Sequence, residues 1–582
     1  MSVGVRENFD IKINTYDFNE DVVKKLQKEK YGVKWPIVYI INNDKEAYIG
    51  ETINAYVRAS QHLENPKRKK LEVVNIIGSD KFNKSAILDL ESFLIKYMAA
   101  DNKFKLQNAN NGLKNHNYYQ KELYEKQFKR IWEKLKRKGI VQNDLLVIEN
   151  SDLFKYSPYK SLADDQYKVV MDILTTLSND VKENKKSSFI VHGGPGTGKT
   201  ILAIYLIKLL VEIKENNISL EEDFEEEIKE ILNINESINK LKIGLVVPMN
   251  SLRKTIKKVF KNVSGLKQNM VLSPIEIAKS KEKYDLLIVD ETHRLRKRKS
   301  LSNYAIFDNY NNKFGLGNEG TELDWIKLQS KYQIFLYDEN QTVRPSDINK
   351  NDIINLENQE NNHRYELNTQ LRCILGGNEY IEYVNRIFSN NPPTEKKKFD
   401  KYDFKLFTDV DEMINNIKAK DKEYGLCRNI AGYAWKWNTQ KEGGLDYDIE
   451  IDGHKYIWNS EPVDWVNSPN SINEIGSIHT IQGYDLNYTG LIIGKDIKYD
   501  TNTNKIYVDR TEYRDRIGKT GINDIDLLDY ILNIYITMCT RGMRGTYLYV
   551  CDENLRNYIS KYVEIYNKNN KLLIAEKNEE YK

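Results

Sequence analysis

The chain has few cysteines for its length. Among 582 residues there are four, Cys373, Cys427, Cys539 and Cys551, and no two form a Cys-x-x-Cys pair. That excludes a disulfide framework and offers no zinc-ligand spacing. A reducing cytoplasm is the expected compartment. Excess charge of one sign is also missing, since the formal net charge is only +3. No global basic field advertises nucleic acid, so any such partner must be held by local patches. Long apolar runs are lacking as well. Runs such as residues 286–289 and 491–493 are far below the ~20 residues of a membrane span. The opening MSVGVRENFD is polar and has no apolar h-region of a signal peptide. No membrane partner is expected, and no internal repeat is found.

What is present points to a multi-domain protein with solvated surfaces. Hydrophobic residues make up 40% and charged residues 30%, enough apolar surface for real cores. A chain this long should hold about three or four domains. Residues 1–115 contain a small α/β unit. Residues 116–160, with KELYEKQFKRIWEKLKRKGI, read as a basic amphipathic helix, a solvated connector. Beyond them, β-branched apolar runs alternate with helical patterns: SSFIVHG, KIGLVVPM, YDLLIVDE, YQIFLYDE, DFKLFT, TGLIIG and GTYLYV. Such runs predict buried parallel strands, so the fold class is α/β with doubly wound parallel sheets. The expected divisions are 161–350 and 351–582. The acidic residues 219–231 read as a surface insertion, and residues 296–330, without clear periodicity, as a long loop or insertion.

The sharpest motif is Gly193, Gly194, Pro195, Gly196, Thr197, Gly198, Lys199, Thr200, between a strand-like run and the apolar helix ILAIYLIKLL. The pattern G-x-x-x-x-G-K-[ST] in this strand–loop–helix context is a phosphate cradle. Glycines let backbone amides close on phosphate oxygens, and the helix N-terminus adds partial positive charge. Lys199 should reach the β- and γ-phosphates of ATP, and Thr200 should hold Mg²⁺. Downstream, LLIVDETH ends an apolar strand at Asp290. Asp290 would hold Mg²⁺ through its hydration shell, and Glu291 would orient and deprotonate water.

Weaker stretches follow in order: Gln166 in ADDQYK, Met249 to Ser251 after KIGLVVP, DENQTVRP with Gln341, LNTQLR with Arg372, IHTIQGYD at 478–485, and YITMCTRG with Arg541. Together with the two strong motifs they resemble the superfamily 1 helicases, most nearly the Schlafen-type helicase-like ATPases and their bacterial relatives, from about residue 161 to 553. The resemblance implies two RecA-like lobes. It implies that Gln166 reads adenine, Met249 to Ser251 touch the strand, Gln341 senses the γ-phosphate, and Arg372 and Arg541 are arginine fingers. The stretch 478–485 would couple nucleotide to strand movement. Fingers on a second lobe deliver charge only on closure, which links hydrolysis to motion. Two departures stand out. DENQTVRP lacks the aromatic that often stacks on bases, and Arg544 competes with Arg541 for the finger. The aromatic stretch 431–437 (AGYAWKW), beside Arg428, suits either single-strand stacking or a packed cluster.

The N-terminal region carries a second set. Tyr39 in IVY and Tyr48 in YIG precede Arg58, His62, Glu91 and Asn108. Arg58 and His62 are four apart and share a helix face. Glu91 has apolar helical neighbours Ile87, Leu88, Leu94 and Ile95, a costly place for an unpaired carboxylate. These residues resemble the GIY-YIG nucleases, with IVY departing from the first tripeptide. The resemblance implies phosphodiester hydrolysis with Mg²⁺ on Glu91, Tyr39 or Tyr48 aided by His62 as general base, and Arg58 stabilising phosphate charge. Asn108 is placed as the closing asparagine, with Asn110 and Asn111 as rivals.

The sequence therefore reads as an ATP-dependent translocase or helicase fused to an endonuclease, acting on DNA in preference to RNA. Such fusions resemble anti-phage machines, with self-association or partner defence proteins as candidate companions. An ATP-gated switch without translocation, an RNA-directed enzyme and a non-cutting N-terminal binding module are the competing readings.

Overall fold

The computed structural model describes residues 9–108, 118–160, 162–214, 241–373, 375–439, 446–461, 464–481 and 483–567. The acidic stretch 219–231 and the rivals Asn110 and Asn111 lie outside them. The chain divides into two compact units, residues 1–185 with 200–244 and 255–271, and residues 186–199, 245–254 and 272–582. Among the described residues no helix is long and apolar enough to cross a membrane.

The N-terminal region is built on a five-stranded sheet. Its strand order is Ile11–Asp17, Val73–Ser79, Ile37–Asn42, Glu46–Thr52, Lys105–Leu106. The central hairpin turns at Asn43, whose side chain accepts from the amides of Lys45 at 2.9 Å and Glu46 at 2.8 Å, the local bonding that makes Asn a turn residue. This turn sets the register that places Tyr39 opposite Gly50 and Ile41 opposite Tyr48. Two helices follow, each capped by an asparagine that satisfies an orphan amide: Ala55–Glu64 behind Asn54 and Lys84–Asp101 behind Asn83.

The expected solvated connector is a correction. Helix Lys121–Arg137 buries Tyr124, Phe128, Ile131, Trp132 and Leu135. Trp132 sits 6.3 Å from the Phe93 ring and 5.8 Å from the Tyr97 ring. Its basic face hid a full apolar stripe. Removing a tryptophan buried this deeply costs about 3–5 kcal/mol, so the helix belongs to the N-terminal core.

The rest is built on two six-stranded sheets, with two small two-stranded ones, Ile449–Ile451 with His454–Tyr456 and Ile497–Asp500 with Lys505–Val508. The first runs Asn362–Leu367, Ser187–Gly193, Ser330–Tyr337, Tyr284–Val289, Ile243–Val246, Val271–Leu272. The second runs Ile475–Ser477, Arg428–Ala431, Leu486–Ile493, Gly542–Val550, Asp403–Phe407, Glu564–Ile565, and every pairing in it is parallel. This is the doubly wound α/β architecture that the apolar runs predict. Strand Asn362–Leu367 pairs with Ser187–Gly193, so the first sheet reaches past the expected division at 350.

The long-loop reading of residues 296–330 is the second correction. They fold as helices Tyr304–Phe314 and Glu322–Gln329, capped by the side chains of Asn303 and Thr321. Trp325 holds them together, packed against Phe307 and Tyr310, with its indole N–H donated to Asn311 at 2.7 Å. The Asn-rich helix Tyr304–Phe314 scores poorly on propensity. Tertiary burial overrides that score.

Candidate functional site

The phosphate loop begins where strand Ser187–Gly193 ends. Gly196 and Gly198 both have φ +80°, a conformation that favours glycine. Space is as tight as torsion: a Cβ on Gly196 would lie 2.1 Å from Gln370 Oε1 and 2.7 Å from Arg372 Cβ, and one on Gly193 2.5 Å from Thr197 Oγ1. A glycine-turned loop this closely backed has the shape of a phosphate cradle, so the residues fit a nucleotide. Gln370 donates to the Pro195 carbonyl at 2.7 Å, and the Leu371 amide to that of Gly196 at 2.8 Å. The segment carrying Arg372 therefore lies on the loop. Arg372 is itself paired with Asp485.

Lys199 donates to the Gly193 carbonyl at 2.7 Å and that of Gly194 at 2.9 Å, and pairs with Asp338 at 3.1 Å. Asp338 also accepts from Gln341, and Gln341 Oε1 accepts from Arg541 at 3.0 Å. One chain of polar contacts thus links the loop lysine, the expected γ-phosphate sensor and the expected finger. Arg541 is 1% exposed, and a cation buried that deeply is costly unless paired. Arg544 instead donates to Asn487 at 3.2 Å and lies over the Tyr424 ring at 4.6 Å. Of the two rivals, Arg541 alone is seen bonded to Gln341 among the described contacts.

Asp290 is buried at the end of strand Tyr284–Val289, where its carboxylate accepts from the Glu291 amide at 3.0 Å. Glu291 has φ +50°, which costs a non-glycine residue about 1–2 kcal/mol. Strain of this kind gathers at functional sites. Its carboxylate pairs with His293 at 2.8 Å. Burial pushes the acid's pKa up, but His293, Lys199 and Arg541 outweigh burial and hold it below the usual range. Glu291 is therefore ionised at neutral pH. Thr200 is the second residue of helix Lys199–Lys214. Gln166 is buried near the start of helix Asp164–Lys182, where its side chain accepts from the Ala163 amide at 3.0 Å.

A cleft of about 320 Å³ opens beside Met249 and Ser251, lined also by Arg253, Arg294, Arg296 and Arg344. Arg344 donates to His479 at 2.6 Å, and burial together with Arg344 and Arg294 drives His479 far down, so it is neutral. Buried Glu322 in the same cleft is pushed up to about 7 by desolvation, against the pull of Arg296. The cleft is therefore cationic and suits a phosphate backbone. The aromatics at 431–437 do not open into a stacking platform. Trp437 stacks on Trp458 at 5.6 Å, Trp435 meets the same ring edge-on, and Arg428 is held by Asp421 and the Val466 carbonyl. The packed cluster is the observed arrangement.

In the N-terminal region the hairpin and one helix bring the predicted residues together. Tyr39 Oη lies 2.7 Å from His62 Nε2, and the Tyr48 ring is 4.9 Å from the His62 ring. A Cβ on Gly50 would lie 2.2 Å from Tyr39 Oη, so the glycine of YIG makes the seat for the phenol. Burial, then Tyr48, push the Tyr39 pKa well up, with Arg58 pulling it back and Glu91 adding to the rise. Arg58 and Glu91 therefore both act on Tyr39. Glu91 is half-buried and its neighbour Leu88 is 36% exposed, so the carboxylate sits at the edge of its apolar stripe. Asn108 is buried, accepting from the Ile49 amide at 3.0 Å and donating to the Ile49 carbonyl at 2.7 Å. It braces the strand behind Tyr48. Among the described residues, no group of three or more His, Cys, Asp or Glu forms a metal cage. A Mg²⁺ here would rest on Glu91 with water and substrate oxygens, a common pattern for this ion.

Sequence reasoning missed Asp338 as the partner of Lys199, Asp485 as that of Arg372, and Arg68, which contacts both His62 and Tyr48. Asp338 heads the DENQ stretch and was within reach. Arg68 sits in a basic turn with no motif to flag it.

Residues 186–552 match the family model described as Schlafen group 3, DNA/RNA helicase domain. The chain belongs to this family. The match covers more than half of the chain and supports a helicase-like P-loop ATPase domain, which contains the loop at 193–200. Tyr39 to Asn108 lie outside it. An uncharacterized protein of Saccharomyces cerevisiae, YPL245W, is 27% identical over 433 residues, 68% of this chain and 90% of that protein. Two solved Pif1 helicase structures, one concerned with unwinding at forked double-stranded DNA and one of Bacteroides Pif1 bound to single-stranded DNA, are 10% identical. Each covers 72% of this chain and 98% of that one, with a TM-score of 0.25, too loose a likeness to carry any argument.

Proposed function

We propose that the chain is an ATP-driven nucleic-acid motor whose N-terminal region cuts phosphodiester bonds, with DNA as the strand. The observation that carries the motor is the polar chain Lys199–Asp338–Gln341–Arg541. ATP supplies the phosphoryl group, and Mg²⁺ neutralises its charge. In this reading Thr200 and Asp290 hold the ion, ionised Glu291 orients the attacking water, and Lys199 exchanges Asp338 for phosphate oxygens. Arg541 and Arg372 bring positive charge to the γ-phosphate. The cationic cleft beside Met249 and Ser251 is the strand path.

The cutting reading is supported by the assembly of Tyr39, Tyr48, Arg58, His62 and Glu91 around one buried phenol. Glu91 would hold Mg²⁺, and Arg58 would stabilise charge on the phosphate.

The test compares wild type, Lys199→Ala and Glu91→Ala on matched DNA and RNA, with and without ATP and Mg²⁺. Strand displacement lost in Lys199→Ala and cleavage lost in Glu91→Ala support the proposal. ATP-dependent cutting with no displacement on any substrate would replace the motor by a switch. Cleavage of RNA alone would change the substrate. Wild type that binds DNA but never cuts would reduce the N-terminal region to a binding module.

A further inference from the structure

The nuclease reading leaves open which group near Tyr39 can take a proton, and the surroundings of His62 decide part of that. Helix Ala55–Glu64 ends at Asn65, and Pro66 cannot continue it. The Asn65 side chain accepts from the amides of Lys67 at 3.0 Å and Arg68 at 3.3 Å. This turn folds Arg68 back over the end of the helix. Its guanidinium lies 3.8 Å above the Tyr48 ring, and its Nη1 lies 2.9 Å from His62 Nδ1.

A guanidinium only donates hydrogen bonds. His62 Nδ1 must therefore accept and carry no proton. The ring is 1% exposed, and burial with Arg68 and Arg58 beside it pushes its pKa down to about 2. It is neutral, with one N–H, and that N–H is at Nε2. Nε2 lies 2.7 Å from Tyr39 Oη, so the histidine donates and the phenol oxygen accepts.

We propose that Arg68 is a positioning residue of the N-terminal site, which locks His62 in its Nε2–H form as a donor to Tyr39 and thereby removes His62 from the candidates for general base. Both ring nitrogens are committed, one lone pair to Arg68 and one proton to Tyr39. The base is then Tyr39 or Tyr48. The argument rests on the nuclease reading for its catalytic meaning, and on hydrogen-bond direction alone for the tautomer.

The experiment uses the full chain with substitutions at Arg68. Arg68→Met removes the donor. Arg68→Lys keeps one. Arg68→Glu offers an acceptor, which calls the proton to Nδ1 and turns Nε2 into an acceptor from Tyr39. Mg²⁺-dependent cleavage by Arg68→Met should show kcat down about tenfold or more, with KM for DNA within about twofold. Arg68→Lys should recover most of that loss, and Arg68→Glu should fall at least as far as Arg68→Met. ATP hydrolysis should stay at the wild-type rate in all three and reports an intact fold. Separately, ¹⁵N spectra of histidine-labelled wild type, with a His62→Gln sample to assign the signal, should show protonated Nε2 and bare Nδ1. Arg68→Met with wild-type kcat, or with a raised KM and unchanged kcat, overturns the positioning role. A protonated Nδ1 in wild type overturns the tautomer. Should wild type fail to cut any substrate, the nuclease reading falls by itself, and the ¹⁵N spectrum still decides the tautomer.

Discussion

The two polar sites of this chain are assembled in opposite ways. The N-terminal one draws on residues 39 to 108, a single hairpin, two helices and the turns between them. Its groups are set by short-range geometry: a register that opposes Tyr39 to Gly50, and a turn that returns Arg68 to His62. The nucleotide site joins residues 139 and 200 positions apart, Lys199 to Asp338 and Gln341 to Arg541. The charge states differ too. Around the phosphate loop, opposite charges pair: Lys199 with Asp338 and Arg372 with Asp485. Around Tyr39, a neutral phenol and a neutral imidazole are pressed by arginines. In the proposed motor a paired site would exchange partners to receive a phosphate, which would couple binding to movement. A site of preset hydrogen bonds needs no such exchange.

That contrast can be broken most severely at Lys199. Lys199→Ala should lower ATP hydrolysis by about 10³-fold or more, while Mg²⁺-dependent cutting of single strands without ATP continues. Phosphate release and gel-resolved cleavage read the two arms. Loss of both activities would show that the sites are not separable.

The finger assignment comes next in size. Arg541→Ala should reduce ATP turnover about 10²–10³-fold with half-saturating ATP within about threefold. Arg544→Ala, bonded to Asn487 and Tyr424 instead, should stay within about threefold of wild type. A reversal of that order transfers the finger role to Arg544.

Gly50→Ala tests the short-range site. The new Cβ would meet Tyr39 Oη at 2.2 Å. Cleavage should fall about tenfold or more, with a stability loss of about 1–3 kcal/mol from overpacking and ATP turnover unchanged. Wild-type cleavage in this variant would mean that the phenol's seat does not matter.

The smallest effect is a pH dependence. The Glu322 pKa in the fold, about 7, lies above the ordinary carboxylate value, so the folded state holds a proton that the unfolded chain has released. Its contribution is present below the unfolded value and is lost as pH rises towards 7. Glu322→Gln should therefore gain stability relative to wild type by about 1–3 kcal/mol between pH 4.5 and 7. Thermal melts of both proteins across that range check it, and a constant difference between them would place Glu322 in a more polar setting.

Much of this was legible along the chain. The glycines at 196 and 198, the apolar strand that ends on Asp290, and the Tyr48-Ile49-Gly50 strand all act through their own backbone conformation or through neighbours a few residues away. Periodicity shows such features because it is itself local. The helices within residues 296–330 were not legible, because the asparagine-rich Tyr304–Phe314 is held by Trp325 of the second helix and not by propensity. Helix Lys121–Arg137 was legible as a helix but not as core, because its charged face outweighs in composition the stripe that Trp132 buries.

The sequence by itself determined the phosphate loop, the parallel-sheet class and the residue types at both sites. Only the tertiary structure decided which charge meets which: that Asp338 and not solvent receives Lys199, that Arg541 and not Arg544 reaches Gln341, and that Arg68 sets the proton on His62. The reason is physical. Backbone torsion and hydrophobic period are properties of short segments. A charge partner is chosen by strand order and by the high cost of leaving an ion buried alone, and both act across the whole chain.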